Sequence, residues 1–198
     1  MAERLRRYQQ KRNFDVTSEP AGSPVPAMDG HRFVVQRHRA SRLHYDLRLE
    51  AAGVLLSWAV PKGPTLDPDA KRMAVHVEDH PLEYFDFEGV IPRGEYGGGD
   101  VIVWDWGTWS ITDGKDPITA TEAGDLHFDL NGEKLRGHFA LVRRGARDSK
   151  EQWLLLHKHD DDAVSGWDPE DHPRSVKSGR TNDEVKTALS YDAPAADR

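Results

Sequence analysis

From Leu43 to Leu49 the chain alternates without a break. Leu43, Tyr45, Leu47 and Leu49 fall on one face of an extended strand, and His44, Asp46 and Arg48 on the other. The polar face holds an imidazole, a carboxylate and a guanidinium, with neighbours roughly 6.5–7 Å apart along the backbone. At that spacing His44 and Asp46 can share one metal ion, with Arg48 beside them to hold an anion. His38, just upstream of the strand, is placed to swing in as a third ligand. Two imidazoles and one carboxylate suit a divalent transition metal with open coordination positions. The competing reading of the same face is a solvated polar surface.

The length of 198 residues fits one compact domain with tails. Cysteine is absent, which excludes disulfides, thiolate metal sites and Cys nucleophiles and suits a reducing compartment. No apolar run reaches the roughly 20 residues of a membrane span, and the Arg-rich N-terminus lacks the apolar stretch of a secretory signal. The expected location is cytoplasmic, with no membrane partner. The net charge of −7 is unevenly spread: residues 1–48 carry ten Lys/Arg against five Asp/Glu, and the rest seventeen against twenty-nine. Positive potential therefore gathers around the candidate site, enough to bind one end or one phosphate but not to coat a long duplex.

Residues 1–31 read as a basic N-terminal arm, with a short helix over Glu3–Lys11 and a Pro/Gly/Ser-rich stretch over Glu19–Gly30. Strands are expected at Arg32–Gln36, Leu43–Glu50, Val54–Val60, Met73–Glu78, Val101–Asp105, Thr108–Ile111, Leu126–Leu130, Lys134–Arg143 and Gln152–Lys158. Gly53 marks one hairpin turn, and Asn131-Gly132 carries the signal of a type I′ turn. Many short strands with few short helices predict a mainly β protein, a small antiparallel barrel over residues 32–160. Residues 161–198 are polar and predicted to form a flexible tail, with capping-box spacing at Thr181-Asn182-Asp183-Glu184 for a helix to about Leu189.

A second alternating run from Met73 is expected to put His76, Glu78 and His80 on a common face before Pro81 ends it. His80 is the natural partner of Arg48, an imidazole that hydrogen-bonds a phosphate oxygen or protonates a leaving oxygen, and Glu78 can orient a ligand from behind. Lys62, on the Pro61-Lys62-Gly63-Pro64 loop, is a candidate phosphate contact. The Gly-rich stretch Ile91–Gly99 lacks the Lys-Ser/Thr of a P-loop and reads as a tight loop. Trp104, Trp106 and Trp109 read as core or rim packing rather than base-stacking platforms.

The chain resembles the 3′-phosphoesterase family, found as the N-terminal domain of bacterial DNA ligase D and as stand-alone proteins. The resemblance spans roughly residues 8–160. It is carried by Lys11-Arg12-Asn13-Phe14 with Thr17-Ser18-Glu19-Pro20, by Phe33 through Glu50, by Ser57 through Pro64, by Val75 through Pro81 and by Phe87 through Gly97. It implies a Mn²⁺-dependent activity on the 3′ ends of DNA or DNA–RNA primer–templates. A phosphodiesterase step removes a terminal ribonucleoside, and a phosphomonoesterase step then leaves a 3′-hydroxyl for sealing in end joining. A DNA ligase, a repair polymerase and Ku are its implied partners in trans. Carried over by position, His38, His44 and Asp46 are metal ligands, and Arg48 and His80 contact phosphate, supported by Tyr84. Arg12, Glu19, Lys62, Arg72 and Glu78 match further functional positions. Asn13 departs from the family, which usually has an aspartate there, and the loss of that carboxylate puts one step in question.

Two other readings remain at this point. A non-haem Fe(II) oxygenase is imitated by His44 and Asp46 with a distal His138 and Arg143. A non-catalytic DNA-end-binding module would follow if Asn13 marks lost catalysis.

Overall fold

A computed structural model describes residues 2–23 and 30–191. The remaining parts of the expected arm and tail, residue 1, 24–29 and 192–198, lie outside the described residues. The chain runs α1 (Ala2–Gln10), β1 (Arg32–Arg39), β2 (Leu43–Ala51), β3 (Val54–Val60), β4 (Lys71–His76), a 3-10 turn at Leu82–Asp86 and β5 (Gly89–Ile91). It continues with β6 (Gly99–Ile111), α2 (Pro117–Ala123), β7 (Asp125–Gly132), β8 (Arg136–Arg147), β9 (Lys150–His157) and α3 (Asn182–Tyr191). All strand pairs are antiparallel in the order β1-β2-β3-β4-β9-β8-β7-β6, and pairing of β1 with β6 closes the ring, as expected for a barrel. The short β5 adds to β6 outside that ring.

The two faces of the wall have different fates. Phe33, Val35, Tyr45, Leu47, Leu49, Leu56, Trp58, Val60 and Trp104 join one interior cluster, all at most 1% exposed. On β3, Leu55 points the other way, into a second cluster with Tyr8 and Tyr84 on the outside of the barrel. The alternation that buries Tyr45, Leu47 and Leu49 therefore delivers His44, Asp46 and Arg48 to the outer face, which the N-terminal arm then covers.

Several expectations are refined. The predicted strands Val101–Asp105 and Thr108–Ile111 are one long β6, which bends past the extra residue opposite Val35 and Gln36. The β2–β3 hairpin turns at Ala52 and Gly53, both with positive φ (50° and 77°), the geometry of a type I′ turn. Asn131-Gly132 is not such a turn: neither residue has positive φ, β7 continues through both, and the chain reverses one step later where the Gly132 N–H meets Leu135 O at 2.9 Å. Glycine is required at 132 for space, because a Cβ would stand 2.5 Å from Asp105 Oδ2 and 2.6 Å from Phe33 Cζ. Trp104 and Trp109 are core residues, and Trp106 stacks on Phe85.

The segment read as a flexible tail from residue 161 is packed on the barrel through much of its length. Trp167 rests against the interior cluster, the Val176 N–H reaches Val103 O at 2.9 Å, and Lys177 pairs with Asp86. Arg37 donates to Asn182 Oδ1 at 2.6 Å and pairs with Glu170 at 2.7 Å. Asn182 is 1% exposed and donates to the carbonyls of Arg37 and Asp100. Apart from Trp167 and the buried Val185 this docking is polar, which is why the low apolar content of the segment does not reveal it. The capping box forms as expected: the Thr181 N–H donates to Glu184 Oε2 at 2.7 Å and the Glu184 N–H to Thr181 Oγ1 at 3.4 Å.

Asn182→Ala strands two buried carbonyls and one guanidinium donor at once. It is expected to lower the unfolding free energy by about 2–4 kcal/mol and to expose segment 161–191 to limited proteolysis. An unchanged digestion pattern and unchanged denaturation midpoint would show that the segment is not held there.

Candidate metal and phosphate site

β1 and β2 pair with His38 opposite His44, Gln36 opposite Asp46 and Val34 opposite Arg48. His38 is thus a strand residue facing His44 across the ladder, not a side chain swinging in from a loop. The two imidazoles lie 4.7 Å apart between ring centres. His38 Nδ1 and His44 Nε2 each approach Asp46 Oδ2 at 3.7 Å, and the three ligand atoms lie within 4.8 Å of one another.

The protons on the two imidazoles are set by their outer nitrogens. His38 Nε2 meets Gly97 O at 2.7 Å, and His44 Nδ1 meets Arg42 O at 3.0 Å. A carbonyl only accepts, so each of these nitrogens carries the hydrogen. The nitrogens left with lone pairs, His38 Nδ1 and His44 Nε2, are the ones turned toward the carboxylate. Two lone pairs and a carboxylate oxygen converging on one point repel unless a cation lies between them, so this donor set fits a divalent metal.

Arg48 anchors the carboxylate from the side. It is 3% exposed and donates to Asp46 Oδ2 (3.1 Å), Gln36 Oε1 (2.7 Å) and Ser57 Oγ (2.9 Å), and it lies 4.9 Å from the Tyr84 ring centre. Gln36 is itself fixed, its amide donating to the carbonyls of Tyr84 and Phe87. Three of the five guanidinium N–H groups are thereby used and two remain for a substrate oxygen. Burial works to raise the Asp46 carboxyl, but the Arg48 guanidinium beside it outweighs burial and holds the group well below the usual carboxylate range.

The arm supplies the other wall. α1 buries Leu5 and Tyr8, and the Tyr8 hydroxyl donates to Pro20 O at 2.6 Å. Arg12 stacks on the Tyr8 ring at 3.7 Å, pairs with Glu19 at 2.9 Å and reaches Glu78 at 3.4 Å and His80 Nε2 at 3.2 Å. Glu19 accepts from Thr17 and from the Tyr84 hydroxyl, both at 3.0 Å. Glu78 also pairs with Lys11 at 2.9 Å. The arm is therefore part of the site. Asn13 is exposed and caps the turn that follows α1, its Oδ1 accepting the Asp15 N–H at 3.2 Å.

The expected common face for His76, Glu78 and His80 does not form. β4 ends at His76, opposite Trp58, while His80 bridges to Leu55. Three residue steps separate the partners on β3 but four separate the two histidines, so one extra residue reverses the parity. His76 stacks on Trp58 and meets Glu151, away from the site. His80 is delivered to the outer face, 3.5 Å from Ser57 Oγ. His80 Nδ1 meets Glu78 O at 2.9 Å, so it bears the hydrogen, and Nε2 accepts from Arg12. Burial, then Arg48 and Arg12, push this imidazole well below the ordinary histidine value. Burial and then Glu19 raise Tyr84 well above that of a free phenol.

Two candidates stand apart. Lys62 is exposed on the loop beyond β3 and has no hydrogen bond or ion pair among the described residues. Arg72 shares the β4 face of Ala74 and His76, opposite Leu155, with its Nε buried and without a partner. His138 is bound to Asp129 and Arg143 to Glu151, and His138 does not join the metal cluster, so the oxygenase arrangement is absent among the described residues. Gln36, Ser57 and Tyr8 are site residues that sequence reasoning missed. Gln36 was within reach, since Val34, Gln36 and His38 alternate on one face once β1 is carried to Arg39.

Residues 36–143 match the DNA ligase D 3′-phosphoesterase domain. The chain belongs to this family. It is 52% identical over 183 residues to the multifunctional non-homologous end joining protein LigD of Pseudomonas aeruginosa, covering 89% of this chain and 21% of that protein. It is 45% identical over 156 residues to the LigD of Mycobacterium tuberculosis (78% of this chain, 20% of that protein) and 43% identical over 165 residues to that of Mycolicibacterium smegmatis (81% and 21%). The chain thus spans about a fifth of the length of these curated relatives. The phosphoesterase-domain match contains every expected site residue except Arg12 and Glu19, which lie before it in the arm. No helix among the described residues is long and apolar enough to cross a membrane.

His80 in this setting keeps its proton on Nδ1 and stays neutral below its ordinary midpoint of 6.5. Its imidazole ¹⁵N shifts are expected to stay constant from about pH 8 to about pH 6. A titration centred near the ordinary value would contradict the burial and charge arrangement described.

Proposed function

We propose that this chain is a metal-dependent phosphoesterase acting on the 3′ ends of DNA or DNA–RNA primer–templates. In this reading it removes a 3′-terminal ribonucleoside and then the 3′-phosphate, leaving a 3′-hydroxyl for ligation in DNA end joining. A ligase, a repair polymerase and Ku are the partners this names. The observation that carries it is the juxtaposition of a preset two-His, one-Asp ligand set with a buried guanidinium that has donors to spare.

His38 Nδ1, His44 Nε2 and Asp46 would hold the ion, Mn²⁺ in the family reading, which when bound supplies Lewis-acid charge to a phosphoryl oxygen. Arg48 offers its two free N–H groups to the other phosphoryl oxygens and offsets the charge that grows on them in the transition state. Water adds to phosphorus while the bond to the leaving oxygen breaks, and that oxygen needs a proton. His80 Nε2 is the atom assigned to hold it, with the Arg12 N–H that this nitrogen otherwise accepts turning to the bound phosphate. Burial, with Arg48 and Arg12, favours neutral His80, and a phosphate anion offsets the two positive charges and favours its protonated form. Arg12, Glu19, Glu78 and Tyr84 keep His80 and Arg48 in register. Lys62 and Arg72 act, on this reading, at the edges of the bound strand.

The test is a 5′-labelled primer–template with one 3′-terminal ribonucleotide, resolved on a denaturing gel with and without Mn²⁺. Conversion to a 3′-phosphate and then a 3′-hydroxyl is expected. His44→Ala should abolish both steps and Arg48→Ala should slow both by about 100-fold or more. Wild-type rates in either variant would remove the site assignment. End binding without turnover in any divalent metal would make the chain an end-binding module. Stalling at the 3′-phosphate would implicate Asn13, and Asn13→Asp, which can accept the same turn hydrogen bond, should then restore the second step.

A further inference from the structure

Tyr96 is the one exposed aromatic ring beside this site among the described residues, at 47% exposure. Its loop is held in shape. The Glu95 N–H meets Pro92 O and the Gly98 N–H meets Glu95 O, Gly94 and Gly97 take positive φ, and a Cβ on Gly98 would stand 2.7 Å from Pro92 O. Gly97, the next residue, gives its carbonyl to His38 at 2.7 Å. On the other side Lys11 Nζ donates to the Tyr96 hydroxyl at 3.1 Å, and the Arg12 guanidinium lies 5.5 Å from the ring centre while touching His80 at 3.2 Å. The ring is thus fixed at the point where the metal-ligand side of the site meets the phosphate side.

Lys11 Nζ lies 4.6 Å from the Tyr96 ring centre, and the ring surface that stays exposed can be covered by a flat nucleobase. The cations beside Tyr96 are paired with Glu78 and Glu19, so the ring is not needed to satisfy them. Arg12 links the ring to His80, so a phosphate held by Arg12 and His80 would carry its terminal nucleoside to the Tyr96 side of the site. We propose that Tyr96 is a stacking platform for the base of the 3′-terminal nucleoside, the group that the first step removes. The inference rests on the function proposed above. Stacking on a π face accepts any base, so the platform selects for the presence of a nucleoside and not for its sequence.

The two substrates of the proposed reaction supply the test, because only the first carries the terminal base. Tyr96→Ala should raise KM for the ribonucleoside-terminated end about tenfold relative to its KM for the 3′-phosphate end, with kcat little changed. Tyr96→Phe, which keeps the ring, should return that ratio to the wild-type value. A structural role for Tyr96 would move both KM values together. A second readout needs no turnover. With chelator present, 2-aminopurine as the terminal base should be quenched on binding wild type and Tyr96→Phe but not Tyr96→Ala, and at the penultimate position all three should behave alike. Quenching that survives in Tyr96→Ala, or is absent in wild type, overturns the platform. Failure of wild type to turn over either substrate strikes the proposed function and leaves this fluorescence result to be judged by itself.

Discussion

Arg48 is a permanent charge enclosed at 3% exposure, and a charge so placed must be met by acceptors close at hand. Asp46, Gln36 and Ser57 meet it from three strands, and Gln36 is tied in turn to the carbonyls of Tyr84 and Phe87. This one requirement organises the surrounding structure. It keeps Asp46 ionised, points one carboxylate oxygen at the two histidines, and fastens the segment around the 3-10 turn to the barrel wall. Removing Asp46 leaves that buried charge uncompensated, and removing Gln36 or Ser57 leaves a buried N–H without its acceptor, each costlier than losing an exposed ion pair.

The enclosure is built by the least regular part of the chain. The barrel interior is filled by its own side chains, so a polar site on its outer face needs a separate cover. α1 and the turn after it provide one, with Tyr8 gripping the apolar patch at Leu55 and Tyr84 while Arg12 and Glu19 turn inward. The arm thereby lowers the local polarity and strengthens every charge interaction beneath it. A neutral His80 between two guanidiniums is the direct consequence, and it gives the site a group whose protonation depends on what anion is bound.

The legible parts of this structure are those set by local patterns. The run from Leu43 to Leu49 declared both its faces, because period-two alternation is read directly from neighbours, and the hairpin at Gly53 and the capping box at Thr181 are equally local. The histidine parity between His76 and His80 was not legible, since one extra residue in an irregular stretch reverses the face without any change in composition. Neither was the docking of residues 161–191, where Asn182, Glu170 and Lys177 act through hydrogen bonds and ion pairs that have no period. The Asn131-Gly132 pair shows the opposite error: a strong turn signal was present because Gly132 had to make room for Asp105 and Phe33. The candidate metal ligands were picked out by residue type and spacing, but the hydrogen bonds that fix which nitrogen faces Asp46 come from backbone carbonyls, to which side-chain identity is silent.

Those carbonyls make the assignment of His38 Nδ1 and His44 Nε2 to a metal testable at single atoms. The measurement is ¹⁵N NMR of the imidazoles during titration with Zn²⁺, a diamagnetic divalent ion. One ion per chain is expected, with coordination shifts at His38 Nδ1 and His44 Nε2 while His38 Nε2 and His44 Nδ1 keep their hydrogens. Shifts at the opposite nitrogens, or no saturable shift at either histidine, would contradict it.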